Sequence, residues 1–176
     1  MKHSLLRLPA IVPVALFLGS CAPEVPQQVA FNEAAFSGYG GSGSGQVTGR
    51  VAAVIDVERL APFTKVTLMP ANAYTTEIVQ RSYVRDENLQ EPDPRFQKYV
   101  REVESDGDGI FLFRGVPPGN YYVSCDVSYS DPTYSLDGDG NTVVNQYSYD
   151  RWIYAKVRVV SGQTLTVKSW EQGQVR

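Results

Sequence analysis

The nine residues Tyr121-Tyr122-Val123-Ser124-Cys125-Asp126-Val127-Ser128-Tyr129 alternate between two kinds of side chain without a break. Tyr121, Val123, Cys125, Val127 and Tyr129 make one face, and Tyr122, Ser124, Asp126 and Ser128 make the other. A period of two is the spacing of a β-strand with one face on a core. Other segments share this character. Val47, Gly49, Val51 and Ala53 begin an alternating stretch that runs to Asp56, and segment 65–70 is short and closed by Pro70. Segment 110–114 follows the turn sequence Ser105-Asp106-Gly107-Asp108-Gly109, and Gly115-Val116-Pro117-Pro118-Gly119 makes a compact turn before the long strand. Segments 152–160 and 164–170 close the chain, joined by Ser161-Gly162-Gln163. Short strands separated by turn signals predict an antiparallel sandwich or barrel. No βαβ spacing and no internal repeat occurs.

The N-terminus is of another kind. Lys2 and Arg7 precede an uncharged apolar run, residues 8–18, which ends in Leu18-Gly19-Ser20-Cys21. A basic start, an apolar middle and small residues before a cut are the parts of a secretory signal peptide. The run is too short to span a bilayer, which needs about 20 apolar residues, and it contains Pro9 and Pro13. The cysteine after the small residues resembles the lipobox of bacterial lipoproteins. That resemblance implies a diacylglycerol on the Cys21 thiol, with palmitate as an expected acyl chain, and cleavage of residues 1–20. Ala22 follows in place of aspartate, which implies sorting to the periplasmic face of the outer membrane. The lipid on Cys21 is the expected membrane anchor.

Cleavage also removes Lys2, Arg7 and His3, the only histidine, and moves the formal charge from −3 to −5. A weakly acidic domain without a basic stripe has no electrostatic reason to bind nucleic acid. Loss of the last histidine removes the usual general base and the commonest metal ligand. No cofactor, metal or catalytic residue is expected, and the protein reads as a non-enzyme. Cys125 is the second of two cysteines. On the apolar face of its strand, with no histidine to form a thiolate, it reads as a small core residue.

Residues 21–45 hold Pro23, Pro26 and the run Ser37-Gly38-Tyr39-Gly40-Gly41-Ser42-Gly43-Ser44-Gly45. This composition predicts a flexible tether, spanning roughly 25–30 Å on random-coil scaling, ahead of one domain over 46–176. Phe31 and Phe36 are candidates for docking on a partner, although the linker reading is favoured.

The run Asp106-Gly107-Asp108-Gly109-Ile110-Phe111-Leu112-Phe113, followed by Gly115-Val116-Pro117-Pro118-Gly119-Asn120-Tyr121-Tyr122-Val123, resembles the hallmark of carboxypeptidase regulatory-like domains. Val47-x-Gly49-x-Val51, Val66-x-Leu68, Val157-x-Val159 and Gly162-Gln163-Thr164 fall in the matching order. The resemblance implies an all-β fold, a single antiparallel seven-stranded transthyretin-like or starch-binding-like sandwich. It implies a non-catalytic module, because the peptidase's zinc ligands belong to a different domain. Residues 71–104 depart from that pattern. Tyr74, Ile78 and Tyr83 fall near helical spacing, with Thr75 as the expected N-cap, so this insertion is expected to be partly helical and to cover one end of the sandwich.

Two acidic turns raise a calcium reading. Asp137-Gly138-Asp139-Gly140-Asn141 matches the first half of an EF-hand loop, but Thr142 stands where glycine is needed and Ser148 where the bidentate glutamate belongs. Asp-Gly pairs are β-turn formers first. Among the aromatics of the last third, Tyr134, Tyr147, Tyr149 and Trp152 are the candidate ligand-binding residues, since flat rings accept sugars or peptides. The expected role is a lipid-anchored envelope module that binds a protein or glycan in the periplasm. A carboxylate-dependent hydrolase of envelope glycans and a structural subunit of an envelope or secretion assembly are the alternatives.

Overall fold

The computed structural model describes the backbone of residues 23–54 and 58–175, and their side chains except at positions 53, 54, 58, 59, 131, 147, 149, 174 and 175. Cys21 and the segment 1–20 lie outside the described residues. The fold is all-β and sandwich-like. Strand β1 (Gly45–Arg50) leads into a two-stranded ribbon of β2 (Ala52–Val54) and β3 (Glu58–Leu60), then β4 (Lys65–Pro70). After the insertion come β5 (Arg101–Glu104), β6 (Ile110–Val116), β7 (Gly119–Leu136), β8 (Thr142–Val159), β9 (Thr164–Val167) and β10 (Glu171–Val175).

One sheet has the order β6-β1-β9 and the other β10-β8-β7-β4-β5. Among the described residues the two sheets hold eight strands, where seven were expected. The extra strands carry weak signals: β5 reads Arg-Glu-Val-Glu and lies in the insertion, and β10 has one apolar residue. Nor is every pair antiparallel. The turn after β8 crosses to the other sheet and lays β9 parallel to β1, with Gln46 opposite Thr164 and Gly49 opposite Val167.

Between the sheets lies the core that the alternation predicts. Tyr121, Val123, Cys125 and Val127 meet Phe111 and Phe113 from β6, and all six are buried. The Tyr121 hydroxyl donates to the Pro117 carbonyl at 2.9 Å, which ties the Pro-Pro turn to the strand it introduces.

The opposite face of the five-stranded sheet is covered too, and this corrects the expectation that the insertion lies over one end of the sandwich: it packs across the face of the sheet. Tyr122 and Ser124 are buried there, under a second core that includes Phe36, Met69, Tyr74, Ile78, Phe96 and Tyr154. The insertion supplies part of this cover through helix α1 (Ala73–Ile78), a π-helical turn (Val79–Val84) and a 3-10 segment (Pro94–Tyr99). The N-cap of α1 is Asn72, not Thr75. Asn72 Oδ1 accepts from Thr75 N–H, and Thr75 Oγ1 accepts from Asn72 N–H, which makes Thr75 the reciprocal member of a capping box. Fully buried, Thr75 also donates to the Pro70 carbonyl at 2.6 Å and fastens the helix to the end of β4.

The N-terminal segment completes the cover, and the expected tether is corrected. Val25 bridges to Leu89, Glu33–Phe36 forms a 3-10 turn, and Tyr39 meets the Tyr121 ring edge-on at 5.2 Å. Residues 25–43 are therefore a strap along the sheet, and the folded unit begins well before residue 46. Phe31 and Phe36 supply the apolar area that a pure Gly/Ser linker lacks, and they dock on this chain itself. The glycines let the strap lie close: a Cβ on Gly43 would stand 2.3 Å from the Val116 carbonyl oxygen, whereas one on Gly41 meets nothing within 4 Å. Gly43→Ala is accordingly expected to lower stability by about 1–3 kcal/mol through overpacking, with Gly41→Ala neutral, as read from urea unfolding midpoints. Equal midpoints for the two variants would contradict the packed strap.

Candidate functional site

The β7–β8 hairpin outgrows the sandwich. β4 pairs only with residues 121–125 of β7, and the ladder with β10 on β8 reaches only from Tyr154 to Arg151. The remainder continues as a two-stranded arm to the turn at 137–141. This geometry distributes the candidate aromatics. Tyr134 stands opposite Val144 near the tip of the arm, 70% exposed, while Trp152 stands opposite Asp126 within the sandwich. Eight residue steps separate Val144 from Trp152, about 27 Å of strand, so Tyr134 and Trp152 do not share one site. Tyr147 and Tyr149 are opposite Asp131 and Tyr129 in the ladder, and their side chains lie outside the described residues.

Of the two candidates whose side chains are described, Trp152 meets a concave surface. On the outer face of the five-stranded sheet, Tyr83 of the π-helical turn stacks on it with ring centroids 4.1 Å apart and planes 8° from parallel. A groove of about 780 Å³ opens beside the pair. Lys65, Thr67 and Met69 of β4 form its floor; Glu91, Asp93, Phe96 and Gln97 of the insertion form the far rim. A second hollow of about 560 Å³ reaches Ser82, Asp86, Asn88 and Leu89 from the same two rings. Tyr83 was legible in the sequence only as a helical-spacing residue, because nothing local links it to a strand much later in the chain. The other tryptophan, Trp170, donates its Nε1–H to the Arg50 carbonyl at 2.9 Å and packs on Phe111, away from this groove.

The charges of the groove are largely paired. Arg95 holds Asp93 with Nε and Nη2 at 2.9 and 2.8 Å; these side-chain bonds, with the Arg95 backbone N–H, depress the Asp93 pKa to about 2. Lys65 lies 3.2 Å from Glu102. Burial pushes the Tyr83 hydroxyl upward against the opposing effect of Ser124, so it stays a neutral phenol. The site therefore offers aromatic surface, fixed acceptors and an ammonium group. With its pKa so low, Asp93 accepts hydrogen bonds at neutral pH and has no proton to give.

A third hollow, about 530 Å³, surrounds Arg81. Its charged groups are engaged within the fold. Arg81 binds Glu77 at 2.7 Å and Glu87 at 2.6 Å, and Glu77 also accepts from the backbone N–H groups of Gln28 and Val29 at 2.7 and 2.6 Å. This knot fastens the strap to α1.

The acidic turns are closed by their own carboxylates. Asp106 Oδ1 accepts from the N–H groups of Asp108 and Ile110 at 3.0 and 2.8 Å, and Asp137 Oδ1 from those of Asp139 and Asn141 at the same distances. Gly109 and Gly140 follow with φ of 74° and 81°, the left-handed position that favours glycine. The two sequences make one turn type twice. Cys125 is 1% exposed, and burial pushes its thiol pKa far upward, in keeping with a core role.

No protein-family model and no curated protein matches this chain. Among solved structures, it is similar to a protein from Pseudomonas aeruginosa described as a candidate carbohydrate-binding protein. The two share 27% sequence identity with a TM-score of 0.57, over 78% of this chain and 97% of that one.

Proposed function

We propose that this chain is a non-catalytic glycan-binding module of the bacterial envelope, of the carboxypeptidase regulatory-like kind, held by a lipid on Cys21 at the periplasmic face of the outer membrane. The observation that carries the binding reading is the Tyr83–Trp152 stack at the wall of a roughly 780 Å³ groove. Pyranose rings present apolar C–H faces with hydroxyls around the edge. An aromatic wall beside fixed carboxylates and an ammonium complements both features. The likeness to a candidate carbohydrate-binding protein supports the same reading. Binding is favoured over hydrolysis in that Asp93, a carboxylate of this groove, is held ionised by Arg95, and Glu102 of the same groove is paired with Lys65. A glycosidase needs a carboxylic acid that carries a proton at working pH. The lipobox of the sequence supports the anchoring.

Soluble oligosaccharides of the envelope, including peptidoglycan disaccharides, provide the test. With two tryptophans in the chain, Trp170→Phe leaves Trp152 as the sole indole reporter. Sugar addition is expected to shift its emission, and Trp152→Ala is expected to weaken binding by about tenfold in calorimetry. Undiminished binding by Trp152→Ala would remove the groove from consideration. Release of new reducing ends would favour the hydrolase.

A further inference from the structure

We propose that the free arm of the β7–β8 hairpin is a second membrane contact, laid along the surface of the bilayer that holds the Cys21 lipid. This inference rests on the anchoring part of the reading above and is independent of the groove. Its starting point is an exposed apolar surface. Tyr134, Leu136 and Val144 are 70%, 72% and 56% exposed. Tyr134 is directly opposite Val144, and Leu136 lies two residues beyond Tyr134, so the three share one face of the ribbon.

Beyond Asp131 and Pro132, the arm also carries little of the charge that usually protects an open strand. Native edges are guarded by charge or by pairing. Here residues 132–136 and 141–149 contain no Lys, Arg, Asp or Glu. Tyrosine and aliphatic side chains among serine, threonine and asparagine suit the headgroup region, where one part of the surface is apolar and the rest wet.

Chain length then places the arm at the membrane. Four residue steps join Cys21 to Val25, at most about 14 Å of chain. Val25 is already fastened: it bridges Leu89, and its N–H donates to the Asn88 carbonyl at 2.8 Å. Leu89 and Trp152 line one hollow, so the strap enters the fold at the end of the sandwich from which the arm departs. From Arg151 to Thr142 the arm runs nine steps, about 30 Å. An arm twice as long as the tether, leaving from the same end, lies within reach of the bilayer, and its apolar face favours the orientation that lays it there. Asp137 and Asp139 at its tip keep the turn among the headgroups, so the contact is flat and shallow.

The mature full-length chain, lipid-modified at Cys21, tests this in vesicles of phosphatidylethanolamine and phosphatidylglycerol containing nitroxide-labelled lipid. A fluorophore is attached at Leu136→Cys or Val144→Cys, or at Ser161→Cys in the exposed turn at the opposite end; Cys125 is buried and unreactive. Quenching on the arm is expected to exceed that at position 161 by about threefold. Val144→Asp with Tyr134→Asp should reduce quenching at position 136 while leaving the far-ultraviolet circular dichroism unchanged. Equal quenching at positions 136 and 161 overturns the inference. So does cross-linking between arms of two copies without quenching, which would make a second copy the occupant. A mature chain whose mass lacks the diacylglycerol overturns the anchoring itself and this contact with it.

Discussion

Replacing Phe36 by alanine is expected to lower the folding free energy by about 3–5 kcal/mol, the usual range for deleting a fully buried phenylalanine. The residue is 1% exposed although it belongs to a stretch rich in glycine and serine. Its ring stacks on Tyr99 and Phe31 at 4.7 and 5.1 Å and meets Phe96 and Tyr74 at 5.7 and 6.2 Å. Removing it opens a void among four aromatic rings drawn from the strap, α1 and the 3-10 segment, none of which can collapse alone. The measurement is the urea midpoint at constant m-value. An unshifted midpoint would mean that residues 23–45 are a free linker after all.

Removing Glu77 should be comparably severe. Its side chain is 7% exposed and gathers three donors: the backbone N–H groups of Gln28 and Val29, and Arg81 Nη1. Glu77→Ala leaves those backbone donors without their partner and breaks a largely buried ion pair, at a cost of about 3–5 kcal/mol. The same site makes stability depend on pH. Burial by itself would raise the Glu77 pKa, but the two N–H groups and Arg81 outweigh it, and the net value lies below the usual 4.5. An acid whose folded pKa is depressed contributes its full stability above the unfolded value and loses it as pH falls through the folded one. Urea midpoints should therefore decline below about pH 4.5, and Glu77→Gln should lack that part of the decline. Parallel pH profiles for the two proteins would show that the carboxylate charge is not what holds the strap.

Much of the β framework is visible in the chain because strand periodicity is local. The alternation over 121–129 places Cys125 and its neighbours in the core, and Asp-Gly turns are recognisable because the carboxylate and the glycine act within five residues. Long-range partners leave no such trace. Thr75 is a good capping residue, yet Asn72 takes the N-cap because Thr75 is needed as its reciprocal partner and as a donor to Pro70. The groove was legible only in Trp152. Tyr83 becomes its stacking partner because a π-helical turn in the insertion brings it over β8. Tyr134 resembles Trp152 in composition and local setting, but the length of β7 and β8 carries it far along the arm.

From residue order alone follow the all-β class, the core-facing phase of the long strand, the two acidic turns and the absence of histidine after Cys21. Each depends on contacts between near neighbours or on composition, which a linear chain displays directly. Folding added the second core, the strap across the sheet, the aromatic groove and the free hairpin arm. Those features depend on which distant segments compete for one sheet face. Phe36 wins its place there because Tyr74, Phe96 and Tyr99 converge on it from elsewhere in the chain.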